Sequence, residues 1–183
     1  MDKSKIEKLM GELIAEIGED PGREGLVDTP RRIAESYAKL FGGYDKNPED
    51  VVTEFEGEDY DEMIICNDID FYSTCEHHML PFFGKAHIGY IPRKKIIGLS
   101  KLPRIVEIFA RRLQNQERLT MQIAKTINDL LLPKGVGVVI RAQHLCMMCR
   151  GVERQNTVIT TSSFTKCFRD NEKTRSEFLR LIR

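Results

Sequence analysis

The sequence lacks an excess of either charge, a long apolar run, an internal repeat and a low-complexity tract, and each absence removes a class of protein. Lys plus Arg and Asp plus Glu stand at 28 each, so the extended positive surface needed for sequence-independent nucleic-acid binding is missing. A local basic pocket for one phosphorylated small molecule remains compatible with that balance. No apolar stretch approaches the roughly 20 residues that cross a bilayer. The opening residues Met1-Asp2-Lys3-Ser4-Lys5 lead into a charged amphipathic segment rather than a signal peptide. The expectation is a cytoplasmic protein with neither membrane nor nucleic acid as partner. Cysteine is scarce and odd in number: Cys66, Cys75, Cys146, Cys149 and Cys167. In a reducing compartment these make a poor disulfide framework, and metal ligation or burial accounts for them better.

What remains is ordinary globular composition, 41% hydrophobic and 31% charged over 183 residues, enough for one domain with a short appendage. Ile6, Leu9, Met10, Leu13, Ile14 and Ile17 recur at helical spacing before Gly18, which predicts a helix over 3–17 whose apolar stripe needs a partner. Thr29-Pro30 reads as an N-cap and first-turn proline for a second helix carrying Ile33, Ala34, Tyr37, Leu40 and Phe41. An acidic loop over 45–61 closes an N-terminal arm, giving an expected division into 1–61 and 62–183. Residues 63–72 and 85–91 read as strands, followed by a helix capped by Ser100 and, after a polar loop at 114–119, a second helix ending at Pro133 and Gly135. Residues 136–148 and 152–163 are further strands with a tight connection at Arg150-Gly151, and 172–183 is a terminal helix. Hairpins flanking a helical pair imply an α+β domain with both helices on one face of the sheet.

Three clusters carry chemistry. In Ser73-Thr74-Cys75-Glu76-His77-His78 a thiol and an imidazole lie three residues apart, within reach of one ion if the segment turns helically. His144-Leu145-Cys146-Met147-Met148-Cys149 adds two thiols, and Cys75, His78, Cys146 and Cys149 together spell a closed, purely structural zinc site. Strand alternation argues otherwise: if the strand runs on, His144 lies beside Cys146 and Cys149 faces away. That leaves a three-ligand site with an open position, the arrangement of catalytic zinc. Spacing alone leaves both versions standing. Gly98-Leu99-Ser100-Lys101-Leu102-Pro103-Arg104 sets a hydroxyl and two cations at a helix start, a natural seat for phosphate or else a solvated basic turn. Glu117 offers a carboxylate that can accept from a guanine N1–H and 2-amino group, or serve as an ordinary first-turn acid.

Taken together, Ser73-Thr74-Cys75-Glu76-His77-His78, Ile97-Gly98-Leu99-Ser100-Lys101, Gln116-Glu117-Arg118-Leu119-Thr120 and His144-x-Cys146 with Arg150-Gly151 closely resemble GTP cyclohydrolase I. The resemblance runs in order from about Thr29 to the terminal helix. It implies the tunnelling fold, a four-stranded antiparallel sheet with two antiparallel helices on one face in the order ββααββ, assembled with neighbours into a barrel and a toroidal decamer. It implies a zinc ion held by Cys75, His78 and Cys146, with Cys149 outside, and proton transfer by His77 and His144. Gln116 and Glu117 would hold the guanine, and Ser100 would lie near the ribose and serve the later rearrangement. Lys101, Arg104 and Arg150, with Arg32 contributed from another subunit, would receive the triphosphate. The implied reaction turns GTP into 7,8-dihydroneopterin triphosphate and formate, the first step toward tetrahydrofolate and other pterins. Glu35 stands where a lysine is common in the family, which removes a phosphate role there; Asn115 and Cys149 are lesser departures. The rival readings are a tunnelling-fold nitrile reductase, which works with a nucleophilic cysteine and a nicotinamide cofactor, and a non-catalytic zinc-stabilised module.

Overall fold

Helix-period and strand-period segments of the sequence settle into separate layers, as the computed structural model of residues 1–57 and 60–183 describes. The two remaining positions of the expected acidic loop, 58 and 59, lie outside the described residues. The chain divides into two compact units, Met1–Gly42 and Gly43–Arg183.

In the first unit, α1 (Lys3–Glu16) begins at Asp2, whose carboxylate accepts the Lys5 N–H at 3.0 Å, and it gives way at Gly18, where φ is +91°. That left-handed stop costs glycine nothing sterically. Helix α2 (Thr29–Leu40) starts one residue earlier than expected: Asp28 takes the cap position without a side-chain cap bond, and Thr29 is already helical. Ile14 and Ala34 are buried, but Leu9 and Leu13 of α1 and Ile17 at its C-terminal cap, spaced by four, are 48%, 50% and 70% exposed.

The second unit opens with β1 (Glu54–Glu56). The long hairpin β2 (Ile64–Cys75) and β3 (Pro81–Ile91) follows, then β4 (Lys95–Ile97), which pairs antiparallel with β1. The division expected after residue 61 therefore falls inside this unit, since β1 is hydrogen-bonded to a strand beyond it. Next come α3 (Lys101–Ala110), the two-residue β5 (Leu113–Gln114), α4 (Gln116–Leu131), β6 (Gly135–His144), a helical turn α5 (Leu145–Met148) and β7 (Ile159–Phe164). Helices α6 (Cys167–Asp170) and α7 (Glu172–Leu181) end the chain. The main sheet has the order β5-β2-β3-β6-β7. It is antiparallel except where β5 runs parallel to the end of β2.

Period-two alternation decides which face each residue serves. Phe82, Ala86, Ile88 and Tyr90 of β3 and Val136, Val138, Ile140 and Ala142 of β6 form one core with Leu102, Ile105, Val106 and Phe109 of α3 and Leu119, Ile123 and Ile127 of α4. On the other face Val139 meets Phe168, Phe178 and Ile182. Gly89 and Gly137, opposite each other across the strands, leave a dent there: a Cβ on either would stand 2.7 Å or 2.6 Å from the Phe178 or Phe168 ring.

Two expectations are corrected. Strand β6 stops at His144 rather than running to 148, and β7 begins at Ile159 rather than 152. Residues 145–148 coil into a helical turn, with Cys149 N–H bonded to Leu145 O, and Arg154 N–H reaches back to Met147 O, so a looped return replaces the tight connection at Arg150-Gly151. No helix among the described residues is long and apolar enough to cross a membrane.

Candidate metal centre

Strand β2 delivers Cys75 into a tight turn. Its N–H donates to Leu80 O, and its carbonyl accepts from Met79 N–H at 2.8 Å; Met79 takes φ +54°, which closes the turn. The helical sweep brings the His78 ring back over Cys75, Nδ1 to Sγ 3.8 Å. Across the sheet, His144 is in register with Phe82, so the chain leaving β6 passes beside this turn, and α5 swings Cys146 Sγ to 4.0 Å from Cys75 Sγ.

The ligand atoms of Cys75, His78 and Cys146 all lie within 4.8 Å of one another. Two thiolates bound at about 2.3 Å to one tetrahedral ion stand roughly 3.8 Å apart, so the donor set fits a single cation. Both thiols are buried. Burial, and next the neighbouring Cys75, pushes the Cys146 thiol above its ordinary pKa; a cation between them reverses that preference.

Cys149 is exposed, and its thiol donates to Leu145 O at 3.0 Å. It stays outside the group, as expected, but not by strand alternation: on a helical turn it follows Cys146 by three residues and its thiol points back along its own helix. The closed Cys3His arrangement is not formed.

His77 is exposed beside the centre, with Nδ1 at 3.9 Å from Cys75 Sγ and Nε2 at 3.7 Å from Glu76 Oε1. His144 is held more firmly. Its ring lies flat on Phe82, centroids 4.7 Å apart and planes 2° from parallel, and its Nε2 is 2.8 Å from Gln116 Oε1. The Gln116 amide nitrogen faces Ile140 O, Ile159 O and Thr161 Oγ1 at 3.0 to 3.1 Å. Carbonyl oxygens accept only, so that nitrogen must face them; Oε1 then faces His144, and the His144 proton sits on Nε2. Burial lowers the His144 pKa, with Glu117 pulling the other way.

Gln116 is 2% exposed and its amide is spent inside the protein. It stands behind His144 rather than in the open, which sequence reasoning did not foresee. Glu117, next along α4, is exposed. Ser100 takes the cap position of α3 without capping it, because its helical backbone (φ −65°, ψ −11°) turns the hydroxyl away from the free N–H groups. Lys101 and Arg104 stand three residues apart in the first turn of that helix. Arg150 reaches the centre itself, Nη1 3.0 Å from His78 Nε2. Arg32 belongs to the helical unit, exposed and paired with Asp28 at 3.2 Å, while Glu35 pairs with Arg31 at 2.9 Å. Sequence reasoning also missed the Phe82 stack, which strand register contains, and the bidentate Arg118–Glu76 pair, which nothing local announces.

A family model described as GTP cyclohydrolase I matches residues 6–183. A GTP cyclohydrolase 1 of Chlorobium phaeovibrioides is 60% identical over 93% of this chain and 77% of its own length. One of Porphyromonas gingivalis is 56% identical over 98% and 93%, and one of Methylococcus capsulatus 56% over 98% and 97%. Among solved structures, the archaeosine synthase QueF-Like in the apo form aligns with a TM-score of 0.47 at 13% identity, over 56% of this chain and 92% of that one.

Proposed function

The chain belongs to the GTP cyclohydrolase I family, and from that premise we propose that it opens the purine ring of GTP, releases C8 as formate and forms 7,8-dihydroneopterin triphosphate. The observation that carries this reading is the pair of buried thiols 4.0 Å apart with His78 beside them. Cys75, His78 and Cys146 would hold a zinc ion. When bound, it supplies a Lewis acid and a water that ionises near neutral pH, the nucleophile that ring opening requires.

The protein's own groups do the rest. With its proton on Nε2 and given to Gln116, neutral His144 keeps Nδ1 free to take and return the proton that moves at the purine imidazole. Its lowered pKa favours that neutral form. His77, exposed to solvent, exchanges protons at the mouth of the site. The Glu117 carboxylate accepts from the guanine N1–H and 2-amino group, and Gln116 holds the guanine's surroundings indirectly, through His144. Ser100 attends the ribose, and Lys101, Arg104 and Arg150 receive the triphosphate, whose binding energy becomes orientation of the base.

The fold is read as the tunnelling fold, with unit 43–183 carrying the chemistry. The assembly is read as a homo-oligomeric toroid of ten subunits. The exposed stripe of Leu9, Leu13 and Ile17 supports association with further copies, and Arg32 would reach the triphosphate from a neighbouring subunit.

Incubation with GTP and zinc tests the reading: formate appears together with a pterin that fluoresces after oxidation. A Cys146→Ala variant loses bound zinc and formate release together. A zinc-free Cys146→Ala protein that still releases formate at the parental rate refutes the assignment.

A further inference from the structure

Glu76 lies between Cys75 and His77 on the metal-bearing turn, and Asn115 lies just ahead of Gln116 and Glu117 on α4. Four hydrogen bonds join these points into a closed ring. Asn115 Oδ1 accepts the Arg118 backbone N–H at 2.8 Å, capping the helix, while Asn115 Nδ2 donates to Glu76 Oε1 at 2.8 Å. The Arg118 guanidinium closes the loop on Glu76 with bonds of 2.6 and 2.9 Å. Both ends of the Asn115 amide are determined, since a backbone N–H only donates and a carboxylate only accepts. Below the ring, Glu76 N–H donates to Gln114 O at 2.9 Å.

We propose that Asn115 is a positioning residue that locks the turn bearing Cys75, His77 and His78 to the first turn of α4, and thereby fixes the seat of a purine nucleotide relative to the metal. This rests on the functional reading above. An N-cap alone needs only an acceptor, and serine would serve. The second arm, to Glu76, adds nothing to capping. It ties the side chain that reads the base, Glu117, to the side chains that hold the metal. Orientation errors of about 1 Å between such groups cost on the order of a hundredfold in rate.

Two variants separate capping from positioning. Asn115→Ser keeps an acceptor for Arg118 N–H and removes the donor to Glu76; Asn115→Val removes both. We expect kcat for formate release to fall about tenfold or more in Asn115→Ser and Asn115→Val, with KM for GTP within about threefold of the parent because the triphosphate still anchors the substrate. Zinc per chain stays at the parental ratio in both, and the melting temperature drops only in Asn115→Val. Asn115→Ser with parental kcat and KM overturns the proposal, as does a loss of kcat matched by an equal loss of zinc. A parental protein that releases no formate sinks the functional reading and the proposal together; the Asn115→Ser result against an active parent sinks the proposal alone.

Discussion

Gln116 shows how one side chain sets the protonation geometry of another. Its amide nitrogen is committed to Ile140 O, Ile159 O and Thr161, and Thr161 stands 2.7 Å from the Thr120 hydroxyl, which in turn bonds Gln116 O at 2.7 Å. Replacing it with leucine strands two buried carbonyls and frees the His144 ring. A Gln116→Leu protein is expected to keep its zinc, lose stability by about 1 to 3 kcal/mol for the unmet polar groups, and lose at least about tenfold in kcat as His144 loses its fixed tautomer. Metal analysis, thermal melting and steady-state kinetics on one preparation check all three.

His87 makes a second residue-scale prediction, away from the metal. It is 4% exposed, and its Nδ1 accepts the Asp68 N–H at 3.3 Å. Burial lowers its pKa below 6.5, reinforced by Arg141 and Lys85 and opposed by Asp68. The unfolded chain then binds a proton that the folded one refuses, so this contribution is complete above about pH 6.5 and declines as pH falls through that value. Melting temperature measured from pH 7 down to pH 5 should fall less steeply in a His87→Gln variant than in the parent. Equal slopes would show that His87 does not titrate between the two states.

At the scale of elements, the outer face of the sheet depends on the glycine pair. A valine at 137 puts a Cβ 2.6 Å from the Phe168 ring and 3.1 Å from Phe178, and both rings are fully buried, so neither has room to retreat. Gly137→Val is therefore expected to cost about 1 to 3 kcal/mol by overpacking, seen as a lower denaturation midpoint, while zinc binding on the far side of the sheet is unaffected. The same scale explains where sequence reading stopped. The strands and both central helices follow from periodicity, and so do the faces of Val138, Ile140, Ala142 and His144. The coil into α5 does not: Leu145-Cys146-Met147-Met148 has no period of its own, and the turn exists because its Leu145 and Met147 carbonyls accept from the Cys149 and Arg154 N–H groups. The short strands β1, β4 and β5 were invisible for a related reason, since two or three residues hold no pattern and pair only because the tertiary fold brings an edge to them.

For the whole molecule, the group of Cys75, His78 and Cys146 joins segments 71 residues apart in sequence. An ion that binds only the folded state stabilises it by mass action. Removing zinc with a chelator should lower the melting temperature and abolish formate release, with both restored on adding zinc back; a melting temperature indifferent to chelation would mean that the thiols hold no ion in the folded protein. The charge balance, the helical periodicities and the local motifs were legible in the chain itself, because each depends on neighbours a few residues away. From them came the α+β class and, with the family resemblance, the expectation of a metal at Cys75, His78 and Cys146. What stayed out of reach were contacts between distant segments: the amide of Gln116 turned to His144, the ring of Asn115, Arg118 and Glu76, and the helical turn that carries Cys146. Those depend on which strands lie side by side and where a backbone carbonyl happens to face, distances that only the folded chain creates.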